Sequence, residues 1–127
     1  MTENSLATAV VDASYKIHVA LGPGLMESIY EVVLCHELKK RGIRTKRQVP
    51  VPIEYDGLKF DEGFRADVIV EDLLVLELKS VEHVVPVHKK QTLTYARLMD
   101  KRLGLLLNFG AERMKDGIFR IVNGLEE

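Results

Sequence analysis

The chain has one cysteine, no long apolar run and almost no net charge. Because Cys35 has no second thiol to pair with, an internal disulfide is excluded, and the sequence predicts a protein of the reducing cytoplasm. The N-terminal segment MTENSLATAV lacks the basic and apolar regions of a signal peptide. No run approaches the roughly 18–20 apolar residues that a membrane span needs. We therefore expect no membrane partner.

The amount and grouping of charge leave the partner open. A hydrophobic content of 46% predicts an ordinary globular protein, and the length suits one domain over residues 1–127. The formal net charge of −1 gives no general attraction to nucleic acid, yet residues 39–47 hold six cations and no acid. A second basic group comprises Lys89, Lys90, Arg97, Lys101 and Arg102. A solvated surface explains both groups equally well.

Helical spacing marks the first forty residues. The apolar positions of residues 5–21 predict an amphipathic helix that Gly22-Pro23-Gly24 ends, because proline cannot continue the hydrogen-bond ladder. A second helix is expected from about residue 25 to residue 41. Its predicted apolar stripe is Ile29, Val32, Val33 and Leu38.

Strand patterns follow. Residues 49–55 predict a strand that Pro50 and Pro52 confine to a sheet edge, and Asp56-Gly57 predicts a hairpin turn into a strand over residues 58–70. Gly63 within it indicates a bulge. Residues 73–80 predict a central strand covered on both faces. A helix from Pro86 and strands over residues 102–110 and 117–124 complete a mixed α/β domain whose sheet is covered by helices.

The predicted central strand carries charge. Val75, Glu77 and Lys79 point to one face, and the intervening leucines point to the other. Burying an unpaired charge costs several kcal/mol, so these groups need partners or a ligand. One alternative is an ion pair between Glu77 and Lys79 on a solvent-facing strand.

Asp67 lies on the preceding strand. A three-residue turn, Glu71 to Leu73, sets Asp67 opposite Glu77, whereas a two-residue turn would point it among leucines, at a cost. We therefore predict the three-residue turn or an equivalent bulge. Two close carboxylates resist joint ionisation unless a cation sits between them, and such a pair suits Mg²⁺ or Mn²⁺.

Two further features are weaker. Gln91 and Tyr95 share a helix face, with His88 one turn earlier, and could contact a phosphate or a water. Ordinary surface polarity explains them as well. Glu27 lies three residues after Gly24, where it could be a capping acid of the second helix.

Taken together, Asp67, Glu77-Leu78-Lys79 and Gln91-x-x-x-Tyr95 resemble the PD-(D/E)xK nuclease superfamily, in the RecB-like and lambda-exonuclease-like variety. More closely, the chain resembles the small bacterial GxxExxY protein family, whose motif stands here as Gly24-Leu25-Met26-Glu27-Ser28-Ile29-Tyr30. The residue before Asp67 is Ala66 rather than proline. The resemblance implies a restriction-endonuclease-like core of helices, a three-strand meander, a helix and further strands in a mixed sheet.

The resemblance also implies a chemistry. Glu27, Asp67, Glu77 and the carbonyl of Leu78 would bind Mg²⁺ or Mn²⁺; Lys79 would activate water, and Gln91 and Tyr95 would position the phosphate. The leading hypothesis is metal-dependent phosphodiester hydrolysis of nucleic acid, with DNA favoured over RNA. The alternatives are a non-enzymatic binding or assembly module with this fold, acting as a homodimer or with a protein partner, and hydrolysis of a small phosphoester.

Overall fold

Residues 1–126, which the computed structural model describes, form three α-helices and one five-stranded sheet. In chain order the elements are α1 (Glu3–Leu21), α2 (Glu27–Lys40), β1 (Thr45–Tyr55), β2 (Leu58–Val70), β3 (Leu74–Lys79), α3 (Pro86–Leu98), β4 (Leu103–Asn108) and β5 (Ile118–Val122). The strands follow each other across the sheet, and all neighbours are antiparallel except β3 and β4, which α3 connects as a parallel pair. The predicted mixed α/β architecture is confirmed.

Helices cover both faces of the sheet. On one face, Leu74, Leu76 and Leu78 of β3 pack in the core cluster that holds the apolar sides of α1 and α2. On the other face, Val75 packs with Ile69 of β2 and Ala96 of α3. Because β3 is buried on both faces, it reads as a nearly continuous apolar run, and its predicted central position is confirmed.

The contact side of α2 differs from the predicted stripe. Leu38 is buried and Val33 is partly buried, but Ile29 and Val32 are 45% and 48% exposed. The buried side is instead formed by Tyr30, Glu31, Leu34 and Leu38. The ring of Tyr30 stacks on Phe109 at a centroid distance of 4.6 Å. Burial of this large ring orients the helix, because it removes more apolar surface from water than Ile29 or Val32 would.

β1 and β2 extend past the rest of the sheet as a two-stranded arm, residues 49–65. β2 pairs with β3 only over Val68–Val70, whereas its pairing with β1 continues to the hairpin. Asp56 and Gly57 have φ values of 50° and 81°, which confirms the hairpin turn. The register shifts opposite Gly63, where a Cβ would lie 2.5 Å from Ile53 Cγ1, so the predicted irregularity has a steric cause.

Candidate active site

Asp67 and Glu77 lie where β2 separates from β3, a place that we call the fork. The last ladder pair before it is Val68 with Leu76. The turn that joins the strands contains three residues, and Leu73 N–H closes it onto Val70 O at 3.0 Å. Asp67 therefore comes opposite Glu77, and the predicted three-residue turn is confirmed.

Side chains replace the backbone ladder at the fork. The Asp67 N–H donates to Glu77 Oε1 at 3.3 Å, and the Leu78 N–H donates to Asp67 Oδ2 at 2.9 Å. Each carboxylate thus accepts a hydrogen bond from the opposite strand. This reciprocal pairing holds both carboxyl groups at the end of the ladder, on the face that α3 covers.

The environment of Glu77 disfavours its ionised form. Glu77 is 7% exposed. Burial, the charge of Asp67 and a hydrogen bond between the two side chains raise the pKa of Glu77 to about 9, while the Asp67 N–H and Lys79 act in the opposite direction. The pair consequently favours a state in which it shares a proton, or one in which a cation compensates its charge.

Lys79 ends β3 on the same face and is partly buried. It is close enough to lower the pKa of Glu77, yet no ion pair joins it to an acid within residues 1–126. The alternative of a Glu77–Lys79 ion pair on a solvent-facing strand is therefore wrong. An ammonium group beside two carboxyl groups remains available to a ligand.

Tyr95 of α3 lies over the fork. Its ring stacks on Phe64 of the arm, with centroids 4.2 Å apart and planes at 5°. Burial, followed by the charges of Glu77 and Asp67, raises the pKa of the Tyr95 hydroxyl. Gln91, one turn earlier, is exposed. His88 instead accepts a hydrogen bond from Val85 N–H at 3.2 Å, which caps the start of α3.

Glu27 is the first residue of α2 and is exposed. The N-cap is Met26, with no side-chain capping bond, so the alternative in which Glu27 caps the helix from the third position is wrong. Within residues 1–126, no three His, Cys, Asp or Glu side chains are grouped closely enough to hold a metal ion. The structure therefore brings together Asp67 and Glu77, and it does not place Glu27 with them.

The start of α2 is nevertheless fixed at the end of β3. The Tyr30 hydroxyl donates to Gly22 O at 2.6 Å and accepts from Leu25 N–H at 3.1 Å. Ser80, the residue after Lys79, donates from Oγ to Leu25 O at 2.6 Å. Tyr30, the last residue of the GxxExxY stretch, thus closes a turn between Gly22 and Leu25 that anchors the helix carrying Glu27.

Asn108 and Gly110, to which the sequence analysis gave no role, support the site from β4. Asn108 is 2% exposed; its Oδ1 accepts from Val81 N–H and Gly110 N–H, both at 3.0 Å, and its Nδ2 donates to Val81 O at 2.9 Å. A Cβ on Gly110 would lie 2.4 Å from Val81 O. An asparagine that ends an apolar strand and precedes a glycine by two positions was the available signal.

The donor set at the fork fits a divalent cation. Mg²⁺ and Mn²⁺ prefer oxygen ligands, and Asp67 and Glu77 offer two adjacent carboxyl groups, of which burial and the charge of Asp67 make Glu77 costly to ionise without a cation. A bound cation would remove that cost. The backbone of Leu78 runs between them, already tied to Asp67 by its N–H.

Comparison with known proteins supports the fold. A solved structure described as "Crystal structure of SSO0001" has a TM-score of 0.58 and 22% sequence identity, covering 79% of this chain and 52% of that one. This likeness supports the fold alone, and the present chain spans about half of that structure. No curated protein matches the chain. Within residues 1–126, no helix is long and apolar enough to cross a bilayer.

A family model described as the PD-(D/E)XK nuclease superfamily matches residues 4–121. The five-stranded mixed sheet between helices agrees with the restriction-endonuclease-like core of that group. Because the match spans nearly the whole chain, the protein belongs to the PD-(D/E)XK nuclease superfamily.

Proposed function

We propose that this protein is a divalent-metal-dependent nuclease that hydrolyses phosphodiester bonds in nucleic acid, with DNA as the favoured substrate. The observation that carries the proposal is the pairing of the buried Glu77 with the partly buried Asp67, with a lysine that forms no ion pair within residues 1–126 beside them. Within the superfamily we assign the chain to the GxxExxY family of RecB-like and lambda-exonuclease-like nucleases. We further propose that residues 1–127 act as one domain in a reducing cytoplasm.

Asp67, Glu77 and the Leu78 carbonyl would hold Mg²⁺ or Mn²⁺. When bound, the ion would lower the pKa of a water and offset negative charge on the phosphate. Glu27 would complete the ligand set by rotating toward the fork. This change is inexpensive, because the exposed Glu27 side chain has no hydrogen-bond or ionic partner to lose within residues 1–126.

Three side chains would act directly on the reacting groups. The Lys79 ammonium would orient the attacking water and stabilise charge that develops on the phosphate oxygens. Tyr95, held over the fork by its stack on Phe64, would donate its hydroxyl proton in a hydrogen bond to the phosphate. The raised pKa of that hydroxyl keeps it protonated at neutral pH. Gln91, exposed one helical turn away, would hold the next phosphate or the water.

The distribution of unpaired cations favours an approach of nucleic acid along α3. Five of the six cations in residues 39–47 form ion pairs; the pairs are Lys40–Glu37, Arg41–Asp12, Arg44–Glu71, Lys46–Asp72 and Arg47–Glu31. On α3, Lys90 and Arg97 are exposed and form no ion pair within residues 1–126. The arm carries four acids and two cations, so it repels phosphates.

A cleavage assay with a matched variant tests the proposal. Purified protein is incubated with labelled single- and double-stranded DNA and RNA, with Mg²⁺ or Mn²⁺ and with chelator, beside Lys79→Ala and Lys59→Ala. Both lysines lack an ion pair within residues 1–126, but Lys59 lies on the arm. We expect metal-dependent cleavage of DNA that Lys79→Ala lowers at least about 100-fold and Lys59→Ala leaves unchanged. Absence of cleavage of every substrate would contradict the proposal.

The exposed arm favours a second candidate, a non-enzymatic binding or assembly module with this fold. Tyr55, Leu58 and Phe60 near its tip are 75%, 60% and 50% exposed. A two-stranded ribbon is only marginally stable in water, so a homodimer contact or a protein partner would stabilise it. This candidate predicts that Tyr55→Ser abolishes complex formation in cells. It also predicts that the cleavage assay stays negative.

A further inference from the structure

We propose that Glu31 and Gln48 form a positioning pair that fixes Asp67 beside Glu77 and thereby sets the metal affinity of the fork. The pair lies on α2 and β1, and neither residue is among the proposed ligands. The inference rests on the proposed function for its metal-binding part. Its geometric part concerns the hydrogen bonds at the fork and can be measured without metal.

Gln48 has an unusual backbone conformation. Its φ is 50°, in the left-handed region, where a glutamine within a strand is strained. The pairs Arg47–Val68 and Val49–Ala66 flank it, so Gln48 lies opposite Asp67 in the β1–β2 register, yet this pair is missing from the ladder. The kink in the edge strand thus lies at the same level as the fork.

The Glu31 carboxylate stabilises this kink by hydrogen bonds to the Gln48 side chain. Glu31 is 5% exposed, and its two carboxylate oxygens accept from Gln48 Nε2 at 3.0 and 3.1 Å. Arg47 Nε lies 3.6 Å from Glu31 Oε1. A carboxylate is costly to bury without such partners, and a left-handed glutamine persists only when its surroundings fix it. Each residue therefore compensates for the unfavourable state of the other.

The kink bears on Asp67 because β2 lies between β1 and β3. At the fork β2 has lost its ladder to β3, so its path depends on the two side-chain bonds, on its pairing with β1 and on its packing against α3. If Gln48 relaxed to an extended conformation, it would form a regular ladder pair with Asp67. This pairing would change the direction of the Asp67 side chain. The bond from Leu78 N–H to Asp67 Oδ2 would then lengthen or break.

The Glu31–Gln48 pair also links the fork to the helix that carries Glu27. Glu31 follows Glu27 by four residues, so both lie on the same side of α2. Tyr30, beside Glu31, fixes the start of that helix. The pair consequently sets the distance between the helix face and the strand that bears Asp67.

Two variants separate the bond from the backbone conformation. In Gln48→Gly the left-handed φ is tolerated, but the bond to Glu31 is lost. In the double variant Glu31→Gln/Gln48→Glu, an amide and a carboxylate face each other again with their roles exchanged. Lys46→Ala is the control, because it removes a neighbouring cation from the same strand. The ionic partner of Lys46 is Asp72, in the turn between β2 and β3, and not Glu31.

The first measurement is hydrogen exchange of the Leu78 amide by NMR in metal-free protein. We expect Gln48→Gly to accelerate exchange at Leu78 about tenfold relative to the β3–β4 ladder, and the double variant to restore most of the protection. Lys46→Ala should change neither. Unchanged Leu78 exchange in Gln48→Gly would overturn the inference, as would a uniform acceleration across the whole sheet.

The second measurement is Mn²⁺ affinity by calorimetry. We expect Gln48→Gly to weaken Mn²⁺ binding about fivefold or more, with recovery in the double variant. Equal affinities in the wild type and Gln48→Gly would overturn the metal-binding part. If the wild type binds no Mn²⁺, the proposed function and this metal-binding part fail, whereas the Leu78 exchange still decides the geometric part.

Discussion

At the scale of single residues, two carboxyl groups are held so close together that ionisation of one of them, Glu77, is disfavoured. Each carboxyl group accepts a hydrogen bond from the backbone of the opposite strand, and the two side chains also interact with each other. Such an arrangement is unfavourable for the isolated fold and favourable for a protein that binds a cation there. The cost should be measurable in the metal-free protein.

Stability of the metal-free protein should fall as pH rises. The folded-state pKa of Glu77 is raised to about 9 from an ordinary 4.5, so between these values the native state binds a proton that the unfolded chain lacks. Rising pH then favours unfolding. Each pKa unit corresponds to about 1.4 kcal/mol, so we expect the free energy of unfolding, from urea titrations in chelator, to fall by several kcal/mol, on the order of 5, between pH 5 and pH 9.

Glu77→Gln should flatten this dependence, because glutamine does not titrate. Glu62→Gln is the control: Glu62 is exposed, and its pKa is lowered by its hydrogen bond with Arg65. We expect Glu62→Gln to keep the steep dependence. A stability that rises with pH in the wild type would show that Glu77 is not held protonated at the fork.

The Asp67–Glu77 pair could be predicted from the sequence, whereas the Glu31–Gln48 pair beside it could not. Pairing follows from turn length and strand alternation, which are local and visible in residues 67–79. Gln48 has no such signal, since a glutamine in a strand gives no reason to expect a left-handed φ. The buried state of Glu31 also depends on a partner seventeen positions away.

At the scale of elements, the turn before α2 determines where a helix points. The Tyr30 hydroxyl bonds both Gly22 and Leu25 in this turn, and its ring is fully buried against Phe109. The sequence predicted the break at Gly22-Pro23-Gly24 but did not predict the hydrogen bonds of Tyr30. Its reach back to Gly22 is a tertiary contact, and residue spacing alone does not reveal it.

Tyr30→Phe should destabilise the fold and loosen the start of α2. The substitution keeps the stacked ring but leaves Gly22 O and Leu25 N–H without their partner, at a cost of about 1–2 kcal/mol. Urea unfolding measures this loss, and hydrogen exchange should show it concentrated at Leu25. Tyr15→Phe, at a residue that is 41% exposed, should change stability by less than about 0.5 kcal/mol. Equal stability of Tyr30→Phe and wild type would refute the hydroxyl clamp.

The ends of a strand can be predicted from the sequence where turns mark them, but not where polar residues pair at a sheet edge. The span of β2, Leu58–Val70, was predicted correctly because its ends are marked by turns. β1 begins at Thr45, four residues before the predicted start, because the polar residues there pair with Val70 and Ile69 at the sheet edge. Polar edge positions carry no apolar alternation, so their strand state depends on the neighbour.

At the scale of the whole molecule, the two basic groups differ in how many of their cations are paired: five of six form ion pairs in residues 39–47, whereas in the second group Arg102 pairs with Glu3 and Lys90 and Arg97 form no ion pair within residues 1–126. The sequence shows two groups of similar density, and only the folded chain reveals that acids from other segments pair with four of the cations in residues 41–47. An open phosphate-binding surface is therefore expected on α3.

Lys90→Ala should weaken binding to a DNA oligonucleotide, whereas Lys46→Ala should not. Loss of one phosphate contact should lower affinity about two- to fivefold and reduce the salt slope by roughly one. Fluorescence anisotropy in Ca²⁺ at several salt concentrations measures both quantities. A larger effect of Lys46→Ala than of Lys90→Ala would place the nucleic acid at the β1 edge of the sheet instead of on α3.

Calorimetric titration of Mn²⁺ decides whether the Asp67–Glu77 pair is a divalent-cation site. Titrations of wild type and Asp67→Asn in two buffers of different ionisation enthalpy report binding and proton release together. We predict that one Mn²⁺ binds per chain and releases close to one proton at pH 7.5, because the cation displaces the proton of Glu77. Asp67→Asn should weaken binding at least about tenfold. Absence of binding to the wild type, or equal binding to Asp67→Asn, would contradict the account.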